Sequence, residues 1–470
     1  MKHPRIPLLV LLVLTACALF TGCGSTADTS SSAPAESEAS SSVSASAEVS
    51  TSVKTATTSI PFTETDSFPF PFSEELALTK STPQTLYLTR KQAQYDYDTL
   101  WQLLEENYPY FDAIQDVRDL DYRTVRQEYQ TRLDKLASDG TVTVEDFADF
   151  ISGCLRKFHS VGHLFLLYDP VGFLGDIDPS MGGVFSNTLD IITNKKTTDV
   201  YTCLSSKQSS YNTPGYIRLD VPNGAVQNVG PSVSLSYANG VPYIRLSAMK
   251  GWTDDITSAV ADFLAENRDA SDLIIDIRDN SGGSDAVWRR LMALLRSDLA
   301  PVTMLMGAKA GSLNQYIDPD FCTSTDWQYI YTDDSWQTEF PNVSADSMEN
   351  MDIAVKLTLS FPTDSRCIDY EGKIWVLINQ GCFSAADGFA YACKQLNFAT
   401  LVGKSTRGNG IGSQPHVLAL PWSGLIVYYD PHIGFNPDGS CNGIIGTQPD
   451  YEVDAVTALT ECLKLIEAGE

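Results

Sequence analysis

Residues 373–395, KIWVLINQGCFSAADGFAYACKQ, decide the fold of this chain. The first residues form an apolar run of the kind found in strands that are buried on both faces of a parallel sheet. A corner containing a glycine follows, and apolar residues then recur at helical spacing. A strand that passes through a tight corner into a helix is the building unit of an α/β layer.

The same unit occurs a hundred residues earlier, where LIIDIRDNSGGSDAVWRRLMALL occupies residues 273–295. It is preceded by a hairpin that turns at Asn239-Gly240 and by a helix for which Thr253 is the expected N-cap. Repetition of strand, corner and helix predicts a mainly parallel sheet. We therefore predict an α/β core domain over residues 233–470.

The preceding part of the chain has a different sequence pattern. Apolar residues at helical spacing in 90–111, 122–137 and 143–158 predict a small helical domain over residues 85–165, and Thr143 is the expected N-cap of the third helix. Residues 166–232 are rich in Gly, Ser, Thr and Asn, and we expect short strands and turns there, with no assigned role.

The N-terminus has the pattern of a secretory signal. Lys2 and Arg5 precede an apolar run over residues 6–20, which is too short to span a bilayer comfortably. Residues 1–22 are therefore predicted to be removed.

A cysteine follows this run in the sequence FTGC, which resembles the lipidation site of bacterial lipoproteins. Cys23 is the preferred site because the apolar run ends there, although LTAC at Cys17 is an alternative. Residues 23–84 are rich in Ser, Ala and Thr and are expected to form a tether and lead-in. The expected location is the extracytoplasmic face of the cell membrane, through a lipid anchor.

Composition excludes some functions. The formal net charge of -27 argues against a nucleic-acid partner, which requires a basic face. The cysteines form no CxxC pair, so we expect no metal site and no cofactor. Cys154 and Cys393 lie in helical apolar patterns and are expected to be buried thiols.

Two corners carry residues suited to chemistry. Gly282-Gly283 allows the backbone to approach a ligand closely, and Ser384 opens a helix whose first amides are free. Parallel strands end on one side of a sheet, so both corners could face one crevice, as acyl transfer requires. The alternatives are a helix N-cap for Ser384, which local sequence favours, and a tight turn or phosphate cradle for the glycines.

The chain resembles the C-terminal-processing (tail-specific) serine peptidases and their tricorn-core relatives over roughly residues 85–456. The similar segments are LWQLLEENYPYF, VGH at 161–163, LIIDIRDNSGGS, the segment around FSAADG with its downstream Gly-x-x-Thr-x-Gly, and GTQPDYEV. The resemblance implies a βαβ-rich core like that of crotonases and Clp peptidases, preceded by a small helical domain. No clear PDZ domain is visible.

The resemblance implies that Ser384 is the nucleophile. It places the N–H of Ala385 and one of the amides of Gly282 and Gly283 in the oxyanion hole.

The base differs between the two branches of the family. Asn409 occupies the position where the processing branch has its lysine, and an amide cannot accept the proton. The tricorn-like branch uses histidine, which implies that His163 is the base. His159 and Lys404 are the competing candidates.

The sequence leaves the third catalytic group undetermined. The family's Asp-Gly-His has Val161 in place of its acid here, and no acid lies shortly before the final Pro-Asp. Asp438 or Asn442 could orient the imidazole of His163.

Together these features predict a membrane-tethered serine endopeptidase that acts on a peptide or protein. The alternative is a catalytically silent relative that binds a ligand in the same cleft. The sequence does not determine the oligomeric state.

Overall fold

A computed structural model of the chain describes residues 79–81, 85–175, 177, 181–204, 219–322, 327–329 and 336–470. The predicted signal, both candidate lipidation sites and most of the tether lie outside these residues. In the part of the chain that is described, no helix combines the length and apolar character needed to cross a membrane.

The N-terminal part is helical, as predicted. Its elements are β1 (Thr79–Ser81), β2 (Thr85–Thr89), α1 (Arg90–Asn107), α2 (Phe111–Arg118), α3 (Tyr122–Leu136), β3 (Thr141–Thr143) and α4 (Val144–Leu155), with 3-10 turns at Arg156–Phe158 and Val161–His163. The predicted cap of α4 is confirmed, because the Thr143 side chain accepts the N–H of Asp146. Trp101 and Phe158 are fully buried among the apolar faces of these helices.

The expectation of strands between residues 166 and 232 is largely wrong. The elements there are β4 (Phe165–Leu166), α5 (Pro170–Leu174), α6 (Gly183–Ile192), α7 (Lys195–Leu204) and β5 (Gln227–Asn228). Val184, Ile191 and Ile192 of α6 are buried in the same core as the N-terminal helices. Such short helices are stabilised by tertiary burial more than by propensity, and sequence composition does not report that burial.

The remaining elements alternate between strand and helix. They are β6 (Val233–Ala238), β7 (Val241–Leu246), α8 (Asp254–Glu266), β8 (Asp272–Asp276), α9 (Asp285–Leu295), β9 (Val302–Ala308), α10 (Ser312–Ile317), β10 (Trp327–Tyr329), α11 (Trp336–Glu339), α12 (Ala345–Met348), β11 (Ile353–Leu359), β12 (Lys373–Ile378), α13 (Ala385–Gln395), β13 (Thr400–Gly403), β14 (His416–Ala419), β15 (Ile426–Tyr429), β16 (His432–Phe435), α14 (Asn442–Ile445), β17 (Tyr451–Glu452) and α15 (Ala458–Ala468).

The central sheet has seven strands in the order β17-β13-β12-β8-β7-β6-β5. The strands from β17 to β7 are mutually parallel, and the hairpin at Asn239-Gly240 adds β6 in the antiparallel direction. Both faces of the sheet are covered. Ile374 and Val376 of β12 pack in the core that contains α8, α9 and α13, whereas Trp375 and Leu377 pack against α15. This two-sided burial explains the unbroken apolar run in β12.

Two antiparallel sheets complete the core. One has the order β10-β11-β9-β16, and the other has the order β14-β15-β4. The second sheet joins the N-terminal part to the core, because β4 pairs with β15. Asp96 of α1 reinforces this connection by accepting the backbone N–H groups of Trp422 and Ser423 in the β14–β15 turn.

Candidate active site

The corners after β8 and β12 are bonded directly to each other. Leu377 lies opposite Asp276 in the parallel pair, so the two strands end at the same edge. Beyond that edge, the N–H of Asp279 donates to the Asn379 side chain at 2.8 Å, and the Asn379 amide donates back to the Asp279 carboxylate at 2.8 Å. The two corners are therefore joined as one hydrogen-bonded unit.

Ser384 stands at the second corner with a positive φ of 57° and a ψ of -131°. Its N–H donates to the carbonyl oxygen of Gly408 at 3.0 Å. It occupies the N-cap position of α13, but its side chain makes no capping hydrogen bond to the helix. A positive φ is uncommon for residues other than glycine, and such strain is concentrated at functional sites.

Two backbone amides beside Ser384 have no acceptor. Among the described residues, the N–H groups of Gly283 and Ala385 donate to none. The amide of Gly282 is not free in this way, because its N–H donates to the side chain of Asn280 at 2.9 Å. Of the two glycine amides left open by the sequence, that of Gly283 is the one without an acceptor among the described residues.

Gly282 and Gly283 permit close packing around this corner. A methyl group on Gly282 would lie 2.8 Å from the Ser384 Cβ, and one on Gly283 would lie 2.2 Å from the carbonyl oxygen of Met249. Their φ angles are 95° and 140°, which disfavour any side chain. A bulky residue at Gly283 would therefore disturb the backbone as well as the amide.

His163 is brought to the same place from the N-terminal part of the chain. Its ring is 5% exposed, and its Nδ1 lies 2.8 Å from Oδ2 of Asp430. The ring centroid lies 4.5 Å from that of Phe383, the residue before Ser384. With Nδ1 directed at a carboxylate, Nε2 is the ring nitrogen left to exchange a proton. Within the described residues, no hydrogen bond joins Ser384 Oγ to the imidazole.

The two residues expected to orient His163, Asp438 and Asn442, have other hydrogen-bond partners in the structure. The Asp438 carboxylate accepts from the N–H and hydroxyl of Ser440, and the Asn442 side chain accepts from the N–H of Gly410. Asp430 takes the place instead, because pairing of β15 with β4 brings it beside the turn that carries His163. The only local signal for Asp430 is that it directly follows an apolar strand.

Asp430 is buried, and this affects the pKa of its carboxyl group. Burial raises the pKa of its carboxyl group, and the neighbouring imidazole of His163 opposes that rise. A proton gained by the imidazole is therefore stabilised by a close carboxylate in a poorly solvated setting.

The turn that carries His163 is supported by the tyrosines of the NYPYF segment. The Tyr108 hydroxyl donates to the carbonyl oxygen of Val161 at 2.7 Å. A methyl group on Gly162 would lie 2.4 Å from the Tyr110 ring, so glycine is required there. The helical part of the chain thus holds the histidine in position.

Asn409 supports the same turn from the core. Its Oδ1 accepts the N–H of Gly162 at 2.9 Å, and its Nδ2 donates to the carbonyl oxygen of Ser160 at 3.2 Å. The preceding residue, Gly408, is the acceptor for Ser384. One short segment therefore fixes both the serine corner and the histidine turn.

The competing bases lie elsewhere. The Lys404 ammonium group pairs with Glu452 at 2.9 Å, and His159 is exposed at the end of a 3-10 turn. A serine–histidine hydrogen bond is present elsewhere, between Ser413 Oγ and His432 Nδ1 at 2.7 Å. Burial lowers the pKa of His432 to about 3, which makes it a poor proton acceptor near neutrality.

One protein family matches the core of the chain. The model of peptidase family S41 matches residues 240–453. The chain is similar to peptidase family S41 over this segment. The protein is accordingly a serine-type peptidase, a hydrolase. His163 lies before the matched S41 segment, whereas Ser384 and Asp430 lie within it. Among curated proteins, none matches the chain.

Solved structures are similar to this chain at low identity. A mutant of CPAF has a TM-score of 0.51 and 13% identity, covering 80% of this chain and 96% of that one. A structure from Parabacteroides merdae, described as a peptidase, has a TM-score of 0.49 and 16% identity over 80% and 96% of the two chains. The tricorn protease has a TM-score of 0.25 and 18% identity over 49% and 18%.

No three metal-binding side chains are grouped to hold an ion in the part of the chain that the structure covers. Cys154 and Cys393 are buried free thiols, as predicted.

The first prediction concerns Asp430. Asp430→Asn should lower the rate of Ser384 labelling by a fluorophosphonate by about 10³–10⁴-fold, because the imidazole loses the carboxylate that sets its tautomer and stabilises its charge. Asp438→Asn is the matched control and should label at the wild-type rate. Equal rates in the two variants would remove Asp430 from the site.

The second prediction concerns Asn409. Asn409→Gly keeps a residue that tolerates its φ of 61° and removes only the two side-chain bonds. Labelling should slow by about 10–100-fold, because a displaced base is less effective. The circular dichroism spectrum should stay unchanged.

Asn397→Gly is the control for this experiment. Asn397 is also left-handed, with φ of 48°, but it is exposed beyond the end of α13. Wild-type labelling in Asn409→Gly would show that the histidine turn does not need this support.

Proposed function

We propose that the protein is a serine endopeptidase in which Ser384 attacks the substrate carbonyl and His163, oriented by Asp430, accepts the serine proton. The observation that supports this most strongly is the buried His163–Asp430 pair beside the corner that carries Ser384. A neutral imidazole with one nitrogen held by a carboxylate is suited to act as a general base.

The remaining steps follow from the same groups. Attack by Ser384 Oγ gives a tetrahedral oxyanion, for which the N–H groups of Gly283 and Ala385 are the available donors. His163 then passes its proton to the leaving amine, and the C–N bond breaks to give an acyl-enzyme. Water, deprotonated by the same imidazole, releases the acid and restores the serine.

The proposed location is the outer face of the cell membrane. Support comes from the short apolar run, the FTGC sequence at Cys23 and the polar segment that follows it. Two acyl chains on one cysteine would give a stable anchor. The expected substrates are peptides or proteins accessible at that surface.

The third prediction tests the nucleophile and the base. A fluorophosphonate probe should label the wild-type protein at Ser384, identified by mass spectrometry of the labelled peptide. Ser384→Ala should abolish labelling, and His163→Ala should lower its rate by several orders of magnitude. His159→Ala and Lys404→Ala should label normally.

Two results would contradict the assignment. A folded wild-type protein that is never labelled would indicate the catalytically silent, ligand-binding alternative. Loss of labelling in Lys404→Ala with retention in His163→Ala would indicate a serine–lysine pair.

The fourth prediction tests the anchor. Mass spectrometry of the mature N-terminal peptide, after expression in a bacterium, should show an acylated Cys23 as the first residue. Cys23→Ser should release the protein from the membrane fraction. Acylation at Cys17, or an unmodified mature N-terminus, would reject this site.

A further inference from the structure

An exposed cation lies at the rim of the serine corner. The Cζ of Arg407 stands 4.1 Å from the centroid of the Phe383 ring. The backbone of Arg407 is fixed by its N–H, which donates to the carbonyl oxygen of Cys382 at 2.8 Å. Stacking on an aromatic face restrains a guanidinium group while leaving its edge free to donate.

Arg407 is not neutralised by the rest of the described chain. No carboxylate there lies within ion-pair distance of it, whereas Lys404, three residues earlier, pairs with Glu452. Desolvation lowers the pKa of Arg407, and no neighbouring carboxylate opposes that effect. This isolation is notable in a chain with 59 acidic and 32 basic residues.

The position of Arg407 relates it to the reacting groups. The Phe383 ring that it covers also contacts the imidazole of His163, and Phe383 immediately precedes Ser384. Arg407 therefore lies one aromatic ring away from His163 and beside the residue that precedes Ser384.

We propose that Arg407 binds a carboxylate of the peptide substrate close to the scissile bond. This inference rests on the proposed peptidase function and adds a substrate class to it. A guanidinium fork presents paired N–H donors that match the two oxygens of a carboxylate. The carboxylate can belong to an acidic side chain or to the C-terminus of the peptide, and the two sources share the same chemistry.

The test compares synthetic peptides of one length in a mixed digest followed by mass spectrometry. One arm replaces Gln by Glu at each successive position, and the other compares the free C-terminal acid with the amide. The wild type should cleave carboxylate-bearing peptides about tenfold or more faster in kcat/KM in one of the two arms, which identifies the source.

Variants of Arg407 show whether this residue causes the preference for carboxylate-bearing peptides. Arg407→Gln should abolish it while cleaving neutral peptides at the wild-type rate, and Arg407→Lys should retain part of it. Lys404→Gln removes one charge from the same segment and should leave the preference intact.

Fluorophosphonate labelling of Ser384 in the same samples separates the two hypotheses. Normal labelling with no carboxylate preference, or with a preference that survives in Arg407→Gln, overturns the role of Arg407 alone. Absence of labelling in the wild type overturns the peptidase function and this inference with it.

Discussion

The in-register parallel pairing of β8 with β12 is the constraint on which the rest of the site depends. It places the residues that follow both strands at one edge of the sheet. The reciprocal bonds between Asp279 and Asn379 then join the two corners at a fixed distance. The proposed sharing of a reacting carbonyl between Ser384 at one corner and Gly283 at the other requires this in-register pairing.

One acidic residue of the serine motif has a structural role in this arrangement. Asp387, in the segment around Ser384, accepts from the Thr406 hydroxyl and from the N–H groups of Gly410 and Thr447. It thereby links the start of α13 to the Gly-x-x-Thr-x-Gly segment and to the segment that precedes β17. Burial raises the pKa of Asp387, and these donors oppose the rise. Its carboxylate is a structural acceptor.

The histidine turn depends on both parts of the chain. Tyr108 binds it from the helical part, and Asn409 binds it from the core. The N–H of Asp430 adds a third contact by donating to the carbonyl oxygen of Gly162 at 2.7 Å. Hence the N-terminal helices are a component of the candidate site, even though the matched family segment begins after them.

The sequence by itself determined the features that short patterns report. Apolar runs and glycine corners predicted the parallel core, and Thr143 and Thr253 were confirmed as helix caps. The resemblance to tail-specific peptidases directed attention to Ser384 and His163. These signals are local, because each depends on the spacing of a few neighbouring residues.

Tertiary structure alone decided the remaining points. Asp430 lies 267 positions from His163, and only the pairing of β15 with β4 brings them together. Whether the N–H of Gly282 or of Gly283 is free depends on the Asn280 side chain, which accepts the N–H of Gly282. The helices of residues 170–204 form because a distant core buries them. Contacts between remote segments are set by strand pairing and packing, and a linear pattern carries no record of them.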